Sequence, residues 1–138
     1  MMTRFLLRHF HVITLLLALG TIQLVAADAV AKTRTVTPAQ LEQLAGEKKD
    51  LVILDVRTAA ERAGGKLASS INVDSRASDF RDRLAKLDRS KTYVVHCVRG
   101  LKRTTDSVGL LGQLGFTNVI SLEGGYEAWV KAGKPVEK

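Results

Sequence analysis

Thr92-Tyr-Val-Val-His-Cys97-Val-Arg-Gly-Leu-Lys-Arg103-Thr-Thr-Asp-Ser107 is the stretch whose reading decides the fold. Its apolar, β-branched start, Tyr93 to Val95, predicts a buried strand. The strand runs directly into Cys97, the one cysteine of the chain. A loop with Gly100 and the cations Arg99, Lys102 and Arg103 follows, and a helical pattern begins near Thr104. A thiol between a strand end and a helix N-terminus faces unpaired backbone N–H groups and the positive end of the helix dipole. Such a place attracts anions. An unperturbed thiol, with a pKa of about 8.5, is only a few per cent ionised at neutral pH. A shift of about two units downward ionises most of it. A lone cysteine is otherwise often a small buried hydrophobe, but the three nearby cations argue for use. The pattern predicts a reactive thiolate at Cys97 serving an anionic substrate.

Strands and helices alternate on both sides of this stretch. Upstream, a short strand near Arg34–Val36 precedes Thr37-Pro38-Ala39-Gln40, where a capping Thr, a Pro at the first helical position and a Gln start a helix. That helix is expected to run to about Ala45, with Leu41 and Leu44 inward, and to stop at Gly46. Leu51-Val-Ile-Leu54 is a continuous apolar run of the kind found in a parallel strand covered on both faces. It ends in Asp55-Val56-Arg57, read as an internal ion pair or turn. Thr58 and Glu61 repeat the capping pattern over a short helix closed by Gly64-Gly65. Ser70–Val73 is a brief strand. Phe80, Leu84 and Leu87 give an amphipathic helix between Asp79 and Asp88. Downstream, the helix carrying Val108, Leu111 and Leu114 stops at Gly115, and Asn118–Leu122 is the last strand. Glu123-Gly124-Gly125 then turns into a helix with Trp129 and Val130. This order argues an α/β fold with a parallel sheet and helices on both faces. In such sheets ligands bind beyond the carboxyl ends of the strands, where Cys97 falls.

The chain has 138 residues, room for one domain. Arg4 and Arg8 precede an apolar run, Val12–Leu19, and the small residues Val25-Ala26-Ala27, which is the layout of a secretory signal peptide. The expected division is a signal peptide over 1–27, a lead-in over 28–34 and a folded domain over 35–138. The protein would then be periplasmic or secreted, touching a membrane only if the leader stays uncleaved. The formal net charge of +7 comes without a basic helix or nucleic-acid motif, so it is read as a solvated basic surface and no nucleic-acid partner is expected. Of the three histidines only His96 lies outside the leader. It is read as a satisfied histidine at a strand end, and with Cys97 it makes no recognisable metal-ligand spacing. No metal and no cofactor are expected.

From about Thr35 to Val136 the chain resembles a single rhodanese domain. The matching residues are Leu54-Asp55-Val56-Arg57, Lys66-Leu67-Ala68-Ser69-Ser70-Ile71-Asn72-Val73, the Cys97 loop, Gly115-Phe116-Thr117-Asn118-Val119 and Leu122-Glu123-Gly124-Gly125-Tyr126-Glu127-Ala128-Trp129. The resemblance implies a five-stranded parallel sheet flanked by helices and a persulfide carried on the cysteine. Where the family usually has a His and a Pro-Gly, this chain has Lys66 and Ala68-Ser69, a change expected to alter only a turn. Its loop is also longer than the six-residue loop common in sulfurtransferases. Cys97, five residues and then Arg103 is similar to the signature of cysteine-dependent phosphatases, including the rhodanese-like cell-cycle phosphatases.

Both chemistries act on tetrahedral dianions, which amides with Arg and Lys suit equally. They differ in the leaving group: sulfite departs without a proton, whereas an alkoxide usually wants a general acid. Asp106 is the nearby downstream carboxylate, and helical spacing turns it outward. The leading reading is therefore a sulfurtransferase in which Cys97 is catalytic and Val98, Arg99, Gly100, Leu101, Lys102 and Arg103 bind substrate. Its partners would be a thiosulfate-like anionic donor and an external thiol or cyanide acceptor. A cysteine phosphatase using His96, Cys97 and Arg103, and a non-catalytic sulfur carrier or interaction domain, stand as the alternatives.

Overall fold

A computed structural model describes residues 33–138; the expected leader and residues 28–32 of the lead-in lie outside the described residues. The elements in chain order are β1 (Arg34–Val36), α1 (Pro38–Glu47), β2 (Leu51–Asp55), α2 (Ala59–Ala63), β3 (Lys66–Leu67), β4 (Ile71–Asn72), α3 (Phe80–Ala85), β5 (Thr92–His96), α4 (Lys102–Gln113), β6 (Val119–Leu122), α5 (Gly125–Lys131) and β7 (Val136–Glu137). Five strands form one sheet in the order β1-β6-β5-β2-β4, every pair parallel. The α/β class and the five-stranded parallel sheet expected from the sequence are what is found.

β5 sits at the centre of this sheet and all five of its residues are buried. Its side chains alternate between two cores, as the pleat requires. Tyr93 and Val95 join Leu54, Val56, Leu84 of α3 and Leu111 of α4 on one face. Val94 joins Val36, Ile120, Leu122, Leu41 of α1 and Trp129 of α5 on the other. Helices therefore close both faces, and fully burying each such side chain contributes about 1.5–3 kcal/mol. The parallel register sets Asp55 beside His96 and Asn72, so three polar residues meet at the carboxyl edge of the sheet.

Local signals act as written in the sequence at α1 and α2. Thr37 with Gln40, and Thr58 with Glu61, each form both hydrogen bonds of a capping box. α1 continues one residue past Gly46, whose position on the exposed side has nothing within contact distance, so no steric demand ends the helix there. α4 begins at Lys102, two residues ahead of the expected start. That shift places Thr104 inside its first turn. A second, antiparallel pair of strands, β3 with β7, was not foreseen; two residues each are too short to leave an alternating pattern.

Ala68 and Ser69 lie in the tight connection between β3 and β4. The Ser70 amide donates to the Leu67 carbonyl at 3.2 Å, closing a turn in which Ser69 has φ +57°. It is the one non-glycine residue with positive φ among those described. A side chain in the left-handed region costs roughly 1–2 kcal/mol, partly offset by the unfolded-state freedom a glycine would add. Ser69→Gly is therefore expected to stabilise the domain by about 0.5–1 kcal/mol, read as a higher urea midpoint with unchanged slope.

Candidate active site

Cys97 follows β5 immediately and lies at the mouth of the carboxyl edge, 3 % exposed. Burial, the largest influence on its thiol, pushes the pKa up. Four polar contacts outweigh it: the Thr104 hydroxyl and the amides of Arg99, Leu101 and Thr104. The net result holds the thiol below its ordinary value, because each contact favours the anion. The Thr104 hydroxyl is buried and has no hydrogen-bond partner among the described residues, which leaves it available to the sulfur.

The loop owes its shape to the turn that opens α5. The Tyr126 amide donates to the Cys97 carbonyl and the Glu127 amide to the Val98 carbonyl, both at 2.9 Å. With these carbonyls turned toward α5, the amides that follow are free to face the sulfur. The approach is so close that a Cβ on Gly125 would lie 2.5 Å from both the Cys97 oxygen and the Gly100 nitrogen. Gly100 itself has φ +66°, and a Cβ there would meet the Leu122 carbonyl at 2.7 Å. Both glycines are steric necessities of the loop.

The cations named from the sequence separate into different roles. Arg99 and Lys102 are exposed, and Lys102 pairs with Asp106 at 2.6 Å on the outer face of α4. Leu101 is 58 % exposed at the rim. Arg103 does not stand open above the sulfur. Its two terminal nitrogens donate to the Glu61 carboxylate at 2.7 and 2.8 Å. Glu61 Oε2 also accepts from the Thr58 amide, so one carboxylate caps α2 and holds the cysteine loop. The Arg103 hydrogen bond, the largest influence, lowers the Glu61 pKa to about 2. The same pairing raises that of Arg103, with a further contribution from Cys97.

Beneath the loop lies a buried charge cluster. Arg57 and Asp55 are both fully buried, with three hydrogen bonds of 2.7–3.1 Å between their side chains. Arg57 also donates to the carbonyls of Glu61 and Gly65, and its guanidinium lies 4.0 Å from the centre of the Tyr126 ring. Burial alone would raise the Asp55 pKa, but the Arg57 hydrogen bonds prevail and hold it low. The pair is internal, as read from the sequence. Removing either partner of such a pair costs about 3–5 kcal/mol. His96 is fully buried, and desolvation lowers its pKa and keeps it neutral. Only half of the satisfaction expected for it is found. Nδ1 is 3.2 Å from the Cys97 carbonyl, while Nε2 has no hydrogen-bond partner and stands 3.8 Å from Asp55 Oδ2.

Glu61, Thr104 and the Gly124-Gly125 turn were read from the sequence only as capping, helix and turn residues. A six-step loop needs its Arg anchored somewhere, and a Glu at the third position of a helix beyond the neighbouring strand was the available signal for Glu61.

Residues 37–132 match the Rhodanese-like domain family. The chain belongs to that family. It is 31 % identical over 96 residues to the thiosulfate sulfurtransferase GlpE of Pseudomonas savastanoi pv. phaseolicola, covering 70 % of this chain and 86 % of that protein. It is 29 % identical over 113 residues to the probable adenylyltransferase/sulfurtransferase MoeZ of Mycobacterium tuberculosis, covering 80 % of this chain but spanning only 29 % of that longer relative. The crystal structure of a rhodanese-related protein from Thermoplasma volcanium superposes with a TM-score of 0.67 at 36 % identity, covering 75 % of this rhodanese-like chain and 97 % of the other. Several of the relatives it matches thus carry sulfurtransferase names, at about 30 % identity.

Two measurements follow from this geometry. The alkylation rate of Cys97 should reach half its plateau at a lower pH than a free cysteine does, and Thr104→Val should move that midpoint up. Separately, a Glu whose pKa is lowered on folding contributes stability that is present above its ordinary value of 4.5 and lost as pH falls toward about 2. Glu61→Gln should therefore flatten the loss of stability between pH 4.5 and 2, measured by urea unfolding across that window.

Proposed function

We propose that the protein is a sulfurtransferase that carries sulfane sulfur on Cys97. The observation that carries this reading is the sulfur held below its ordinary pKa by the Arg99, Leu101 and Thr104 amides and the Thr104 hydroxyl, despite being nearly enclosed. A nearly enclosed sulfur fits a reaction that adds a single atom. The Cys97 thiolate attacks the outer sulfur of thiosulfate or a similar donor. A new S–S bond forms, the donor's own S–S bond breaks, and its electron pair leaves with sulfite. No proton is needed by the leaving group. The added sulfur of the resulting persulfide anion then takes the place of the thiolate before the same amides. An external thiol or cyanide collects it, since the chain has no second cysteine with which to do so.

In this reading the loop binds the donor chiefly through its backbone, with Gly100 shaping it and Arg99 and Lys102 drawing anions toward the rim. Arg103 fixes the loop through Glu61 and faces the ligand with the remaining edge of its guanidinium. The first 27 residues would direct the domain out of the cytoplasm, to the periplasm or beyond.

The phosphatase alternative asks more of the same residues. It needs an uncompensated Arg103 fork for the phosphoryl oxygens and an acid for the departing alkoxide. Glu61 occupies the end of that fork, and Asp106 is bound to Lys102 on the exposed side of α4. A carrier domain loaded by a partner protein would share the persulfide but would not load from a free donor.

Incubation with thiosulfate is expected to add one sulfur atom to the intact mass and to release one equivalent of sulfite. Cys97→Ser should do neither. Absence of added sulfur with free donors overturns the enzymatic reading, and Cys97-dependent hydrolysis of aryl phosphates would establish the rival.

A further inference from the structure

Beside the cysteine loop, between α3 and α4, lies a cleft of about 400 Å³ that the chemistry above does not use. Phe80 and Leu110 give it an apolar floor, and Arg76 and Arg103 stand at its walls. It adjoins the reactive centre: Arg103, at the end of the cysteine loop, lines the cleft, and Phe80 and Leu110 pack against the core cluster that contains Cys97. The charges around it are unequal in availability. Arg103 is neutralised by Glu61, and Asp106 is neutralised by Lys102. The Asp74 carboxylate accepts from the Arg76 amide. The Arg76 guanidinium is exposed and pairs with no carboxylate among the described residues.

We propose that this cleft binds the sulfur acceptor, and that the acceptor is a small thiol bearing one carboxylate. The inference rests on the sulfurtransferase reading and specifies its second half-reaction. One guanidinium that no carboxylate engages suits a monoanion, and its planar fork matches a carboxylate. The methylenes of the acceptor lie on Phe80 and Leu110, and its sulfur reaches over Arg103 toward Cys97. The acceptor thiolate attacks the outer sulfur of the Cys97 persulfide. The new S–S bond forms on the acceptor, the bond to Cys97 Sγ breaks, and its electron pair returns to Cys97 as thiolate. The acceptor's proton has gone to solvent beforehand, and no external oxidant or reductant is consumed.

The test uses mercaptopropionate against its methyl ester, with wild-type protein and Arg76→Ala. Arg76 is exposed, so its replacement leaves the fold intact. Taking the ratio of variant to wild type for each thiol cancels their intrinsic nucleophilicities. The KM for the carboxylate is expected to rise about fivefold in the variant while that for the ester stays level. Loading from thiosulfate, read by mass, should be unchanged, and Arg76→Glu should invert the preference. A second readout needs no sulfur transfer at all. Unloaded Cys97 should react with dithiodipropionate faster than with its dimethyl ester, and Arg76→Ala should remove that advantage. Equal effects on acid and ester, or none on either, in this exchange reaction overturn the subsite. Failure to load from thiosulfate, with the exchange preference intact, instead counts against the sulfurtransferase reading alone.

Discussion

Everything at this centre depends on two hydrogen bonds from the first turn of α5 to the carbonyls of Cys97 and Val98. Carbonyls and amides point in opposite directions along a peptide, so committing the former to α5 leaves the latter to converge on the sulfur. The sulfur is nearly enclosed, and an enclosed anion without donors would be costly. Amide direction therefore decides whether the thiol ionises at all. The contact is possible because Gly125 and Gly100 bring two backbones closer than any side chain permits. A local reading of Glu-Gly-Gly as a turn captures its shape. Its importance comes from what the turn presses against.

A second layer of constraint comes from below. Asp55 and Arg57 tie the end of β2 to the carbonyl ends of α2 and to the face of Tyr126. α2 in turn presents Glu61 to Arg103, while Tyr126 carries one of the two amides that hold the loop. The same buried guanidinium thus fixes both neighbours of the cysteine loop. A buried ion pair often adds little to net stability compared with apolar packing. Here its physical content is directional: it sets where two helices stand relative to one strand end.

The sequence made the strand order of chemistry legible because each signal was local. A β-branched run before Cys97, capping boxes at Thr37 and Thr58, and a Gly-Gly turn before Trp129 each act within four residues, and each is found where read. The parallel sheet followed from their alternation. What escaped were facts of tertiary contact. Nothing near Arg103 in the chain names Glu61, which lies 42 residues earlier and already has a complete local explanation as a cap. The sequence pattern starts a helix near Thr104, whereas α4 begins two residues sooner at Lys102, and this difference hides the place of Thr104 beside the sulfur. His96 was expected to be satisfied, yet one ring nitrogen is buried without a partner, an outcome that depends on side chains from β2 and α2 rather than on its own strand.

The loop also separates two layers of heredity. Main-chain N–H groups surround the sulfur, and substitution cannot delete them so long as glycine remains at the two crowded positions. Arg99, Leu101 and Lys102 stand on the outside of the same loop, in solvent. Mutation can redecorate that outer surface for new donors and acceptors while the reactive element stays constant, so lineages sharing this scaffold are free to diverge in clientele without reinventing the reaction.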